Sequence, residues 1–156
     1  DLKQCDPAEL IVQAAERFTH KATARQISLQ VNAQQGLPLM CLDRVQLERV
    51  LDNLLGNALR HSQDGGQIRL QAHSQDERVF ISVEDQGEGI AYSQQARIFE
   101  PFVQVGRRKG GAGLGLALCK EIIQLHGGHI RVNSSPGMGA RFYLELPIQA
   151  STQGSV

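Results

Sequence analysis

Three stretches of this chain hold residues whose types and spacing suit chemistry. NLLGNALRHS (53–62) lies within RVQLERVLDNLLGNALRHS, whose apolar residues recur at helical spacing. At about 100° per residue, Leu47, Val50, Leu51, Leu54, Leu55, Ala58 and Leu59 gather on one face. Asn53 and Asn57 fall side by side on one flank of that face, with Arg49 and Arg60 beyond them and His61 at the apolar border; Glu48 and Asp52 take the other flank. Asparagine competes with the helix for its own backbone, so two of them four apart on a half-buried edge call for a use. The alternative is that both amides simply meet solvent.

The second stretch, GGAGLGLAL, sets Gly111, Gly113 and Gly115 at alternate positions and runs straight into an apolar helix. Backbone N–H groups in such a loop point at an anion, and the helix N-terminus adds its positive dipole end, which makes a phosphate cradle. Glycines needed only for close packing are the other reading. The third, DQGEGI, puts Asp85 at a strand end with Gly87 and Gly89 directly after it. A carboxylate accepts from the exocyclic amine of adenine, and glycine lets a flat ring approach the backbone. In isolation that pattern also reads as a turn; together with the other two stretches and the FEPF segment between them it reads as a nucleotide site. A P-loop is excluded because GxxxxGK[ST] is missing. A dinucleotide fingerprint fails because Tyr92 stands where its third glycine should be.

Composition narrows the classes further. With 156 residues the chain suits one domain with a real core. Sixteen basic residues balance sixteen acidic ones, so no global field holds it on nucleic acid or an anionic membrane, and neither is expected as a partner. No apolar run approaches the roughly 18 residues of a membrane span, and DLKQCD lacks the regions of a signal peptide. Cys5, Cys41 and Cys119 are widely spaced, which argues against a disulfide framework or zinc site and for a reducing, cytoplasmic setting. Eleven of the sixteen glycines lie from Gly87 to Gly139, marking where backbone shapes the site.

The elements that must position these residues are legible too. Asp6-Pro7 starts a helix whose stripe runs through Leu10, Ile11, Ala14, Ala15 and Phe18 to about Arg25. ISLQV alternates as a strand, and Asp43 caps the asparagine helix, which the QDGG break ends. GQIRLQAH and RVFISVED alternate with period two and form an antiparallel hairpin. GLGLALCKEIIQLHGG is a second long helix, and HIRVNSS and MGARFYLELP are strands around a Pro136-Gly137 turn. Three helices and five or six strands predict an α/β two-layer sandwich, a mixed, mainly antiparallel sheet covered by about three helices. The nucleotide-binding unit is expected over residues 1–149, with 150–156 a flexible tail or linker.

With these motifs in hand, the chain resembles the ATP-binding catalytic domain of two-component sensor histidine kinases, within the superfamily that includes Hsp90, gyrase B and MutL. The resemblance covers residues 2–147. NLLGNALRHS looks like the N box, DQGEGI the first glycine box, RIFEPFVQ the F box, GGAGLGLALCKEIIQLHGG the second glycine box and PGMGARFYLELP the third, in the family's order.

The resemblance implies ATP and Mg²⁺ as cofactors. It implies that Asn57 gives its side-chain oxygen to Mg²⁺, that Asn53 faces the same cleft, that Arg60 reaches phosphate, and that His61 stands where the family often has an aromatic residue against the nucleotide. Ile90, Leu114 and Leu116 belong to the nucleotide site as members of the glycine boxes. FVQVGRRKGGAG then reads as a lid, anchored by Phe99 and Phe102, with Arg107, Arg108 and Lys109 either touching phosphates or simply solvated. Ala112 and Ala140 stand where many relatives have threonine, so nucleotide affinity is expected to be weaker than typical.

Hydrolysing relatives carry glutamate where this chain has Asn53, which cannot act as a general base at neutral pH. The implied nucleophile is a histidine on a dimerisation and phosphoacceptor domain, with a response regulator receiver domain as the further partner. None of His20, His61, His73, His126 or His129 resembles that acceptor. The implied activity is that of a protein histidine kinase catalytic domain, the cytoplasmic part of a membrane-bound sensor. A non-catalytic nucleotide-binding or docking module and an anti-sigma-type serine kinase are the alternatives.

Overall fold

The computed structural model describes residues 1–103 and 115–148. Its elements in chain order are β1 (Lys3–Cys5), α1 (Pro7–Ala24), β2 (Ser28–Ala33), β3 (Met40–Leu42), α2 (Arg44–His61), β4 (Gln67–Gln75), β5 (Arg78–Asp85), α3 (Tyr92–Gln95), α4 (Gly115–Leu125), β6 (His129–Ser134) and β7 (Ala140–Pro147). A five-stranded sheet runs β2-β4-β5-β7-β6. Only the β2–β4 pairing in it is parallel; the other three are antiparallel. The expected mixed, mainly antiparallel sandwich is the architecture observed.

Period-two alternation builds the core. Ile68, Leu70 and Ala72 of β4, Val79, Ile81 and Val83 of β5, and Phe142, Leu144 and Leu146 of β7 are all buried. Leu10, Ile11, Leu47, Leu51, Leu54, Leu55 and Ile123, from the three long helices, complete one continuous apolar cluster with them. The β4–β5 hairpin turns through Asp76 and Glu77 at φ of 53° and 61°, the paired left-handed residues that suit strand twist.

The helix starts follow the capping residues. Asp6 accepts from the Ala8 N–H at 2.9 Å with Pro7 behind it, and Asp43 accepts from the Gln46 N–H at 3.2 Å. At the other end of α2 the Arg25 guanidinium donates to the carbonyls of Leu59 and Ser62 and pairs with Asp64 at 2.7 Å. His126, just past α4, accepts from the Asp43 N–H through Nε2 at 3.1 Å, tying α4 to the start of α2. Two details differ from expectation. β1 and β3 form a separate two-stranded antiparallel sheet, and α3 is an additional one-turn helix, giving four helices and seven strands among the described residues.

Candidate nucleotide site

Asp85 continues the inward row Val79, Ile81, Val83, so strand geometry places a carboxylate on the core face at the end of β5, opposite Ile68 and Ala140. It is 5% exposed. Oδ1 accepts from the N–H of Gly87 at 2.8 Å and of Ala140 at 3.2 Å, and both bonds fall on that oxygen, leaving Oδ2 to receive another donor. Burial pushes the Asp85 carboxyl up; the two N–H groups and nearby His61 oppose the rise.

The glycines around this carboxylate are required by contact. A Cβ on Gly87 would fall 2.1 Å from the His61 carbonyl oxygen, and one on Gly139 would fall 2.1 Å from the Asp85 carbonyl oxygen. The first glycine box is therefore pressed against the end of α2 on one side and the start of β7 on the other. Gly89 turns the chain beside Ser135, and Ile90 is buried with its N–H held by Ser134 Oγ at 2.9 Å. Ser134 Oγ in turn donates to the Gly139 carbonyl at 2.7 Å, joining the first and third glycine boxes.

Along α2, Asn53, Asn57 and His61 follow at steps of four, a line of about 12 Å at the helical rise. His61 Nδ1 lies 3.6 Å from Glu88 Oε1. Asn57 is buried and its Oδ1 accepts from Arg60 Nη2 at 2.9 Å. Asn53 meets the start of α4, where a Cβ on Gly115 would stand 3.1 Å from its Oδ1. A groove of about 610 Å³ opens there, lined by Asn53, Phe99, Pro101, Gly115 and Leu118 among others. Leu116 is partly buried against the core. The carboxylates on the opposite flank are engaged elsewhere: Asp52 pairs with Arg17 of α1 at 2.7 Å, and Glu48 with Arg44 at 3.1 Å.

Phe99 packs edge-on against Phe142, ring centroids 6.1 Å apart. Phe102, expected as a second anchor, differs: at φ 67° the chain turns its side chain outward, and it is 74% exposed. Arg107, Arg108, Lys109, Gly111, Gly113 and Leu114 lie outside the described residues, as do Ala112 and residues 149–156. Sequence reasoning missed the Ala140 N–H, Ser134 and Glu88, whose roles come from strand register and loop contacts that no local spacing announces.

These residues fit a nucleotide better than a bare metal. Among the described residues no three His, Cys, Asp or Glu side chains converge. Asn57 would offer a cation a neutral oxygen, leaving the rest of its shell to other oxygens, which suits Mg²⁺. No helix among the described residues is long and apolar enough to cross a membrane.

Residues 42–150 match the family described as histidine kinase-, DNA gyrase B-, and HSP90-like ATPase. The chain belongs to this family. Its relatives are sensor histidine kinases. It is 65% identical over 148 residues to the alginate biosynthesis sensor protein KinB of Pseudomonas aeruginosa, covering 95% of this chain but 25% of KinB. The catalytic domain of histidine kinase ThkA superposes with a TM-score of 0.85 at 28% identity, covering 95% of this chain and 96% of that one. ThkA has also been solved in complex with the response regulator TrrA, with a TM-score of 0.82 at 25% identity over 97% of this chain and 43% of that one. Full-length ShkA in complex with AMPPNP gives a TM-score of 0.88 at 35% identity, over 97% of this chain and 32% of ShkA. The chain is thus the histidine-kinase type of ATPase domain, and it spans about a quarter of the length of KinB.

Proposed function

We propose that this chain binds ATP with Mg²⁺ and passes the γ-phosphoryl group to a histidine on a separate dimerisation and phosphoacceptor domain, in two-component signalling. The observation that carries the reading is Asp85, a buried carboxylate with Oδ1 taken by two backbone N–H groups, flanked by glycines where any side chain would collide. In this reading Oδ2 accepts from the adenine amine, and His61 and Ile90 border the base. Asn57 offers Oδ1 to Mg²⁺, which neutralises phosphate charge when bound. Arg60 donates to phosphate, Gly115 opens the start of α4 to the nucleotide, and Asn53 lines the same cleft.

The nucleophile comes from outside, which the ion pairing of Asp52 and Glu48 supports, since it leaves neither free to activate water. The ATP-binding unit is residues 1–149, with 150–156 as tail or linker. A receiver domain is the next partner, a reading supported by the complex of ThkA with TrrA. The protein of which this unit is a part is a membrane-bound sensor with this domain on the cytoplasmic side, supported by the sensor kinases it resembles.

The test supplies this chain with Mg-ATP and a separately prepared acceptor domain. The expected product is an acid-labile phosphohistidine on the acceptor domain. Acid-stable phosphoserine, or ATP binding with no transfer to any acceptor histidine, would overturn the reading.

A further inference from the structure

Gln95 is the one residue of the single-turn helix α3 that is not exposed. Its Nε2 donates to two carbonyl oxygens, that of Ile90 in the first glycine box at 3.0 Å and that of Ser134 at the end of β6 at 2.8 Å. Two acceptors at one end of the side chain require the NH₂ group there, which sets the flip state of this amide. Ile90 and Ser134 are joined a second time, because the Ile90 N–H donates to Ser134 Oγ, and that hydroxyl donates onward to the Gly139 carbonyl. Gly139 gives its own N–H to the Gly87 carbonyl at 3.0 Å. The N–H of Gly87 and the N–H of Ala140, next in the chain after Gly139, are the two donors on Asp85 Oδ1. A line of hydrogen bonds and single peptide units therefore runs from the Gln95 amide to the buried carboxylate.

We propose that Gln95 is a positioning residue for base recognition: by bridging the Ile90 and Ser134 carbonyls it clamps the first glycine box to the end of β6, which keeps the Gly87 and Ala140 N–H groups on Asp85 Oδ1 and leaves Oδ2 for the base. The inference rests on the reading of Asp85 as the acceptor of the adenine amine. Hydrogen bonds in such a line act as a set, since each one orients and polarises the next. Without the clamp, the first glycine box keeps its backbone bonds from the N–H groups of Gly137 and Gly139, so the fold survives while the two donors sit less squarely on the carboxylate. Gln95 is only half-buried, and water reaches the two released carbonyls, which keeps the stability cost small.

The experiment measures ATP and GTP affinities by calorimetry, melting temperature, and the backbone amide proton shifts of Gly87 and Ala140. It compares the unmodified chain with Gln95→Met, Gln95→Glu, Asp85→Asn and the Asp85→Asn, Gln95→Met double variant. Gln95→Met keeps the length of the side chain and removes both donors. It is expected to weaken ATP about fivefold and GTP less than about twofold, narrowing a tenfold ATP preference to about two- to fourfold, the scale of one lost hydrogen bond. The Gly87 and Ala140 amide protons should move upfield as their bonds to the carboxylate loosen, with the melting temperature within a few degrees. Gln95→Glu turns a carboxylate toward the same two carbonyls and should lose more of the preference. In the Asp85→Asn background Gln95→Met should leave ATP affinity unchanged, because both act through one contact. Full ATP preference and unmoved Gly87 and Ala140 resonances in Gln95→Met would overturn the proposal and leave the kinase reading standing. Failure of both Gln95 variants to fold would also overturn it, making the side chain a brace for the fold. Equal affinities of the unmodified chain for ATP and GTP would remove Asp85 from base recognition, and Gln95 with it.

Discussion

Arg60 Nη2 donates to Asn57 Oδ1 at 2.9 Å, so the amide oxygen proposed for the metal faces a cationic side chain. The contact has two consequences. It orients the carboxamide with oxygen toward the positive group, and it ties the guanidinium proposed to reach phosphate to the amide proposed to hold the metal. Asn57→Ala removes the oxygen and leaves Arg60, which is exposed, to water instead of stranding a buried charge. The variant is expected to melt within a few degrees of the unmodified chain while transfer falls about 100-fold or more, as for loss of a group that acts on transition-state charge. Thermal melts and transfer assays read the two effects separately. An unfolded variant would show instead that the amide serves the core edge.

Asp85 links stability and affinity in opposite directions. Burial raises its carboxyl above the unfolded value, so the stability tied to its proton is fully present below the unfolded range and lost as pH rises through the folded value. At neutral pH the ionised group is therefore a cost to the stability of the fold. Asp85→Asn keeps an oxygen for the N–H groups of Gly87 and Ala140 and should melt at or above the temperature of the unmodified chain at pH 7, with the advantage shrinking in acid. ATP affinity should fall about tenfold or more, since an amide in place of the carboxylate loses a charge-assisted bond. The unmodified chain should also prefer ATP to GTP by about tenfold, because guanine turns a carbonyl oxygen toward the same acceptor. Calorimetry with both nucleotides checks these outcomes, and equal affinities would remove Asp85 from base recognition.

The placement of Asp85 was readable because Val79, Ile81, Val83 and Asp85 share one parity, and a carboxylate closing an apolar row is visible in the letters. The two long helix starts were readable from Asp6 and Asp43 for a similar reason, since capping chemistry is local. β1 and β3 were not, because strands of three residues are too short to display a period and are held by each other across the chain. The Ala140 N–H reaches Asp85 only through β5–β7 register, and Cys119 meets the Val50 carbonyl only through the packing of α4 on α2. Phe102 misled because an aromatic in an apolar motif reads as an anchor, whereas its left-handed backbone turns it out.

Arg25 is expected to matter for the cleft although it lies outside it. Its guanidinium closes the last turn of α2 by holding the Leu59 and Ser62 carbonyls, and His61, between them, presents the carbonyl against which Gly87 packs. Arg25→Ala leaves those helix-end carbonyls without their donor, at a cost of about 1–3 kcal/mol. Denaturant midpoints should fall accordingly, and ATP affinity should weaken with them because the wall of the proposed base pocket loosens. Arg25→Lys should recover part of the stability, since one ammonium cannot span two carbonyls and Asp64 as the planar fork does. Unchanged midpoints in Arg25→Ala would show that water satisfies the helix end equally well.

By the resemblance, Asn53 stands where hydrolysing members of the superfamily carry glutamate, and the nearest acidic residues on α2 are committed: Asp52 to Arg17 and Glu48 to Arg44. No carboxylate on this helix is therefore poised to take a proton from water, and positioning of phosphate alone does not replace that acceptor. The chain without an acceptor domain is expected to bind ATP yet release phosphate at a rate about 100-fold or more below that of transfer when the acceptor is supplied, the scale that general-base assistance contributes. Asn53→Glu restores a base in the right place but sets a second anion beside the phosphates and against Gly115, where the fit is already close. Its ATP affinity should consequently fall, whatever happens to hydrolysis. Steady-state phosphate release by the unmodified chain is the deciding measurement: rates equal to those of transfer would mean that water, not a partner histidine, is the natural acceptor.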